Sequence, residues 1–582
     1  MLLQRLVEYA QEHGEAKPFH RERLFSWQLN LNSEGTLCSA DLQPLTVVDA
    51  KGKPRAVPHT TPSAVRTVGV AANLAADDVQ YVLGWGDPDT KPARVAQCHT
   101  AFVDLVQRWA DSDEGQGDPV AQAVAAFYRS GFIGKLRRPE SYTAKQGVMI
   151  NVAGLPAYRA PSAVSFWSAE VTRRKGGGAE GLCLVCGWVR LLLDTVPGKI
   201  PARLVPGASN DAALVSINER VFGYELSMQL ASTPLCVVCG EAMTAALVDV
   251  LSSPHAASHG GPDSRLVWWV TGGVAADEVD LLDGPDPERI FALLRSVQHG
   301  TQQRSGVTME MFCSLTIGGN VARVMVRDWV QMPLPQLKEN IAQWFADQEI
   351  ATRWVDQRRH HGIGRLALVT GRWMRDRQRY ADFGMKGADR PDGVQRELIR
   401  AAIRRTPLPP SLLAHLVHRI CTDGHLDEPR AALIRLALNR SPFALEKSVL
   451  PALDETNTDS GYVAGRLFAA LEQLQYDASE VKLNTTYGDR FFAGAVTNPR
   501  AAIVNGRRDA NAWLRKLRRT KPGAAVKHDK QLDELFGLIG PVAGLPARTT
   551  LRQQSMFLLG YHHQRAHHFA ARPTATAPEE SS

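Results

Sequence analysis

Between Leu2 and His13, the apolar residues Leu3, Leu6, Val7 and Ala10 recur at helical spacing. This predicts an amphipathic helix closed by the turn residues Gly14 and Pro18. Residues 20–62 alternate short apolar runs with Gly, Pro and Asp, the pattern of short strands and turns, with KGKPR at 51–55 in a loop. Helices are predicted over 93–110 and 120–129, and VMINVAG at 148–154 alternates as a strand does. RRKGGG at 173–178 reads as a flexible basic loop, because three successive glycines leave the backbone unrestrained. LVWWVT at 266–271 is rich in bulky strand formers. FCSLTI and VARVMV flank Gly318, Gly319 and Asn320, which predicts a hairpin. A helix over 334–350 follows, with Leu337, Ile341, Trp344 and Phe345 at helical spacing.

From Val463 to Tyr561 the spacing of Leu467, Leu471 and Leu474, then Trp513, Leu514 and Leu517, then Leu532, Leu535, Phe536 and Ile539 predicts helices packed as a bundle. The tail, 570–582, has too little apolar surface to order itself. At 582 residues the chain exceeds a single ordinary domain several times over. The pattern therefore predicts a multidomain α+β protein. Residues 1–350 form a mixed α/β region with a metal-site insertion at 183–239, residues 351–455 a basic, mainly helical connection, and residues 456–569 a C-terminal helical bundle.

Charge sharpens this picture. Lys and Arg number 67 against 60 acids, a net +7, and a pI near 9.0 suits a phosphate-rich partner. Residues 351–440 hold 18 Lys or Arg against 9 Asp or Glu. The basic clusters suited to phosphate contact are Lys51, Lys53 and Arg55; Lys135, Arg137 and Arg138; Arg173, Arg174 and Lys175; Arg372, Arg375, Arg377 and Arg379; and Arg507, Arg508, Arg515, Lys516, Arg518 and Arg519. No apolar run approaches the roughly 20 residues of a membrane span, and charges interrupt the N-terminus where a signal core would lie. A cytoplasmic protein with no membrane partner is expected.

Four of the 8 cysteines form two CxxC pairs, Cys183 with Cys186 and Cys236 with Cys239. Four thiolates are able to close a tetrahedral structural zinc site, with buried thiols as the alternative reading, and the 49 residues between the pairs add closure entropy only slowly. The remaining thiols read as core residues. Gly362, Gly364 and Ala367 mimic a dinucleotide fingerprint but precede their strand, and no GxxxxGK[ST], HExxH or GxSxG occurs. No catalytic apparatus is legible. HHQRAHH at 562–568 reads as a surface helix with clustered histidines.

RTVGVAANLAADDVQYVLG at 66–84 resembles the RTSGIxxNFLxDNxxYVLG pattern of the type I-C CRISPR large-subunit family, matching it at Arg66, Gly69, Asn73, Asp77, Tyr81 and Gly84. The resemblance continues in order through CLVCG, LVWWV, NVARVMVRDWV, LKENIAQWFADQEI, PRAALIRLALNR, DSGYVAGRLFAALEQLQ and GDRFFAGAVTNPRAAI to FLLGYHHQRAHHF. It implies a non-catalytic scaffold of an RNA-guided surveillance complex that holds guide RNA and double-stranded target DNA. Its implied partners are the backbone subunits, a transcript-processing ribonuclease-like subunit, the small subunit and a helicase-nuclease. Its implied roles are binding the protospacer-adjacent motif, opening target duplex and holding the displaced strand. Asn73 is then the candidate motif reader, since an amide offers a donor and an acceptor to a base edge, with Arg66 on adjacent phosphate. The alternative for Asn73 is a local backbone role.

The chain departs from the family pattern at 224–240, where the second CxxC stands, and at Val68 and Leu74. The resemblance further implies that the C-terminal bundle corresponds to a small subunit made by internal translation. The only methionines after 332 are Met374, Met385 and Met556, which leaves Val463 as a possible alternative start.

Overall fold

The structure, a computed structural model, describes residues 1–13, 19–48, 54–63, 69–196, 198–217, 219–228, 230–258, 264–272, 277–298, 310–352, 360–441, 448–479, 485–540 and 544–570. The fold is α+β and divides into two compact units. The first comprises Met1–Ala257, Asp263–Gly273 and Cys313–Trp329; the second comprises Ser258–Pro262, Val274–Phe312 and Val330–Ser582. The helix Leu334–Gln348, expected to close the N-terminal region at 350, belongs to the second unit.

In the first unit, the amphipathic N-terminus forms the helix Leu2–Glu12, which buries Leu6, Val7 and Tyr9. Short strands follow as the punctuated pattern predicts. His20–Phe25 pairs antiparallel with Pro54–Pro62, which also takes Thr46–Val48. Trp27–Leu31 pairs in parallel with Gly147–Val152. A parallel pair needs a long crossover, and this one contains the helices Pro92–Asp111 and Pro119–Arg129. Their buried faces, including Phe102, Trp109 and Phe127, meet Trp167 of the helix Pro161–Lys175 in one apolar core. Buried polar groups in this core are matched. The Trp109 indole donates to Ser162 Oγ at 2.9 Å, and Ser162 donates to Asp118 at 2.6 Å.

RRKGGG does not form a loop. The helix runs through Lys175, and a strand, Gly176–Leu182, begins at once and pairs antiparallel with Val189–Leu193. Arg173 and Arg174 lie three and four residues beyond Glu170, the spacing at which helical side chains meet, and both bind its carboxylate. That pairing supports the last turn which the glycines alone argue against.

The hairpin at 311–333 does form. All of Met311–Pro333 is extended, and 23 residues drawn straight would span roughly 75 Å. Leu334 N instead donates to Glu310 O at 3.0 Å, so the run doubles back. The positive φ falls on Val321, just past the glycines, at +55°. Near this turn, Ala208 and Ala213 pair in parallel with Val321 and Arg323.

The second unit is mainly helical. Leu337, Ile341, Trp344 and Phe345 are buried as their spacing predicts. Ser460–Asp477 is surrounded by Tyr487–Thr497, Pro499–Thr520, Pro522–Gly537 and Leu551–Ala570. The histidine-rich segment is a correction. His562 and His563 are buried, and His563 Nδ1 lies 2.9 Å from the Tyr462 hydroxyl. Burial holds His563 well below the usual imidazole range, so it packs as a neutral core group. The tail from 571 lies outside the described residues.

Two glycines set how closely Ser460–Asp477 and Leu551–Ala570 pack. A Cβ at Gly465 would lie 2.0 Å from Phe557 O, and one at Gly560 would lie 2.2 Å from Tyr462 O. In an open helix Gly→Ala gains about 1 kcal/mol. Here Gly465→Ala or Gly560→Ala is expected to destabilise the second unit by about 2 kcal/mol, because backbone must move. Chemical denaturation checks the sign, and a stabilised variant would show that the helices are not in backbone contact.

Candidate metal centre and basic surfaces

The two CxxC pairs converge although 49 residues separate them. The first occupies the connection between the paired strands Gly176–Leu182 and Val189–Leu193. There Gly187, at φ +72°, lets the chain reverse as its N–H donates to Cys183 O at 2.9 Å. The second pair opens the helix Val237–Ser252, with Cys236 as its N-cap. Backbone bonds knit the two together, Leu184 N to Pro234 O at 3.0 Å and Leu193 N to Leu235 O at 2.8 Å.

All four Sγ atoms lie within 4.8 Å of one another, and Cys183, Cys236 and Cys239 are buried. Zinc–sulfur bonds near 2.3 Å put tetrahedral sulfurs about 3.8 Å apart; Cys186 and Cys236 are 3.9 Å apart. The donor set and spacing fit one zinc ion held by Cys183, Cys186, Cys236 and Cys239. Zinc would act here as a cross-link, since four protein ligands leave no position for substrate. Backbone N–H groups also face the sulfurs: Cys236 N donates to Cys183 Sγ at 3.3 Å, and Cys239 N to Cys236 Sγ at 3.5 Å. The hydrogen bond with Cys239 pulls the Cys236 thiol down and pushes that of Cys239 up, so in the metal-free cluster thiolate character concentrates on Cys236.

Asn73 faces its own turn in the structure. It is buried; its N–H donates to Asp77 Oδ2 at 2.8 Å and its amide to Oδ1 at 3.4 Å. Arg23 closes the other side of this turn on Asp77 at 3.3 Å and Asp78 at 2.7 Å. In this arrangement the amide faces Asp77. Arg174 is half-buried and bonds both Glu170 and Ala72 O, the latter at 2.7 Å. Glu170 is the group that sequence reasoning missed. It accepts two bonds from Arg108, at 2.6 and 2.9 Å, besides those from Arg173 and Arg174. Its spacing to Arg173 and Arg174 was visible, but Arg108 lies 62 residues away.

Lys51, Lys53 and Arg66 lie outside the described residues, as does the Lys175 side chain. Arg55, Lys135, Arg137, Arg138 and Arg173 are exposed. Arg137 meets Asp41 at 2.7 Å, while Lys135 and Arg138 lie over Phe132 and Trp85. In the second unit, Arg372, Arg375, Arg377 and Arg379 are exposed on a small hairpin, Trp373–Met374 paired with Arg379–Tyr380. Its base is fixed by Trp373 stacking on His425 at 3.8 Å, and by fully buried Arg430 beneath Tyr380. Arg430 donates to Gly371 O, Val369 O, His425 O and Asp423. Pro499–Thr520 buries Ile503, Leu514 and Leu517 and turns Arg508, Arg515, Lys516, Arg518 and Arg519 outward. Arg507 is half-buried beside Asp533 at 3.9 Å, and Arg518 binds Asp529 at 2.9 Å. Among the described residues no helix is long and apolar enough to cross a membrane.

An α+β scaffold with a four-thiolate centre and arginine-rich surfaces is the class of protein these features define. The family described as CRISPR-associated protein (Cas_Csd1) matches residues 3–569, and the chain belongs to that family. No curated protein matches the chain.

Two outcomes follow. The purified chain is expected to carry one zinc per molecule, measured by elemental analysis, and Cys236→Ser with Cys239→Ser to lose it. A metal-free wild type grown with zinc would contradict the assignment. Glu170 tests the arginine clamp. Burial alone would raise its pKa, but Arg108, Arg173 and Arg174 hold it at about 2 against an ordinary 4.5. A depressed carboxylate adds stability above its unfolded pKa and loses it as pH falls through the folded one. Discounting for the exposed Arg108 and Arg173, Glu170→Gln should cost about 2 kcal/mol at pH 7. In denaturant titrations the difference should shrink between about pH 5 and pH 2.

Proposed function

We propose that this chain is the large, non-catalytic subunit of a type I-C RNA-guided surveillance complex. In this reading it contacts the protospacer-adjacent motif, supports duplex opening and R-loop formation, and helps recruit the helicase-nuclease. The observation that carries the proposal is the family match over nearly the whole chain. Guide pairing reads the target sequence in such assemblies, so the protein's own task is short-motif recognition and phosphate tracking. The exposed cations suit the second task. Arg137 and Arg138 are assigned to duplex phosphates, because the exposed Arg137–Asp41 pair is weak and readily exchanged for phosphate. Arg372, Arg375, Arg377 and Arg379, with the outward stripe Arg508, Arg515 and Arg519, are assigned to the displaced strand. Asn73 is left out of the reader because its amide is engaged with Asp77.

The decisive comparison is target-duplex binding by the guide complex with and without this chain, using correct and scrambled adjacent motifs. Motif-dependent binding is expected only with the chain present; equal discrimination without it would refute the proposal. Replacing Arg508, Arg515 and Arg519 together by Ala is expected to lower the salt slope of binding by about 2, at about 0.7 per single-strand phosphate contact. Motif discrimination should persist.

A further inference from the structure

The second unit holds a cavity of about 610 Å³ that the proposed function leaves unused. Its volume lies within the roughly 300–1,000 Å³ of pockets that take small molecules. Pro285, Pro287, Pro429 and Leu426 supply apolar wall. The rest is largely imidazole, held in place: His360 stands edge-on to Phe345 at 5.4 Å, the backbone N–H of His361 donates to Gln348 Oε1 at 2.9 Å, and His562 Nε2 lies 3.0 Å from Ala351 O. Aromatic rings offer flat faces, and stacking on such faces accepts any nucleobase.

Charge narrows the choice of ligand. Among the described lining residues, Arg365 and Arg565 offset Asp427 and Glu428 when the imidazoles are neutral. A balanced lining does not compensate a polyphosphate, and so many polar groups do not suit a purely apolar ligand. Asp427 already accepts from the Tyr380 hydroxyl at 2.8 Å, and Arg565 donates to Tyr561 Oη at 3.0 Å. Arg365, with its side chain 46% exposed and 3.9 Å from Asp427, is the cation placed to take a single phosphate. Glu428 adds an acceptor for a base N–H.

The cavity adjoins the arginine hairpin. His425, in its wall, stacks on Trp373 at 3.8 Å with the rings 3° from parallel, and Arg365 lies over Tyr380 at 5.4 Å. A second cavity of about 330 Å³ shares Leu426, Tyr561 and Arg565 with the first and is lined by Arg375 of the same hairpin. Its carboxylates are engaged: Asp423 with Arg430 at 2.7 Å, Glu472 with the Tyr561 hydroxyl at 2.9 Å and Asp489 with Thr486 N at 3.0 Å. Arg375, Arg565 and Arg365 follow one another along adjoining hollows, as tracking of a phosphate backbone requires. An unpaired strand presents a base at less cost than a duplex, where pairing and stacking must first be broken.

We infer that the larger cavity receives one nucleotide of a single strand, with the base inside against the imidazoles and prolines and the phosphate on Arg365. The inference rests on the proposed function for the strand itself, since it extends the assignment of the hairpin to the displaced strand. Phosphate tracking then gains a contact that needs a base to be present, whichever base it is.

The test measures binding by the full chain of an oligothymidylate strand, an equally long abasic strand and thymidine monophosphate. Wild type is expected to bind oligothymidylate at least about tenfold more tightly than the abasic strand, the value of one stacked base. Arg365→Ala/Glu428→Ala should bind the two strands equally and melt as wild type does. Equal binding of both strands by wild type overturns the inference while leaving phosphate tracking intact, and so does a double variant that keeps the wild-type preference. If replacing Arg372, Arg377 and Arg379 together by Ala leaves binding of both strands unchanged, the hairpin assignment falls and the inference with it. Thymidine monophosphate that binds wild type as tightly as the strand does, and fails to bind the double variant, assigns the cavity to a free nucleotide and also overturns the inference.

Discussion

Glu170 imposes the constraint on which the first unit turns. A carboxylate taken out of water without partners costs several kcal/mol, so its surroundings must supply charge and donors. Here Arg108 reaches it from the helix Pro92–Asp111, while Arg173 and Arg174 reach it from its own helix. Arg174 then passes the connection onward to the carbonyl of Ala72. Arg23 grips Asp77 and Asp78 from the strand His20–Phe25. The segment that most resembles the family pattern is thus held by arginines from two directions, and the burial of Asn73 follows from that arrangement.

This explains why part of the chain was legible and part was not. Helices such as Pro92–Asp111 and Leu334–Gln348 follow from local periodicity, because their apolar stripes are complete within one segment. The hairpin at 311–333 was legible for the same reason, apart from a small displacement of its turn to Val321. RRKGGG misled because the glycines form a strand, and because a carboxylate one turn earlier sustains the helix before them. HHQRAHH misled because polarity suggested solvent. In place, His562 meets the carbonyl of Ala351 and His563 meets Tyr462, partners distant in sequence.

The four-cysteine cluster was the most readable site, since CxxC fixes ligand identity and local geometry together. Convergence of its two halves needed the structure. The basic clusters were readable as composition but not as surface. Arg174 and the Arg372–Arg379 group look alike in sequence, yet one is folded into a buried network and the other projects from a hairpin.

The close helix seam of the second unit bears on where a shorter product of the same message, if one is made, would have to begin. Asp459 caps the helix Ser460–Asp477 through the N–H groups of Gly461 and Tyr462 and also pairs with Arg552 at 3.1 Å. Tyr462 supplies both the carbonyl against Gly560 and the hydroxyl beside His563. A polypeptide initiated at Val463 would lack all of these groups and leave His563 facing an empty slot. A self-sufficient C-terminal bundle therefore requires an initiation point upstream of Asp459.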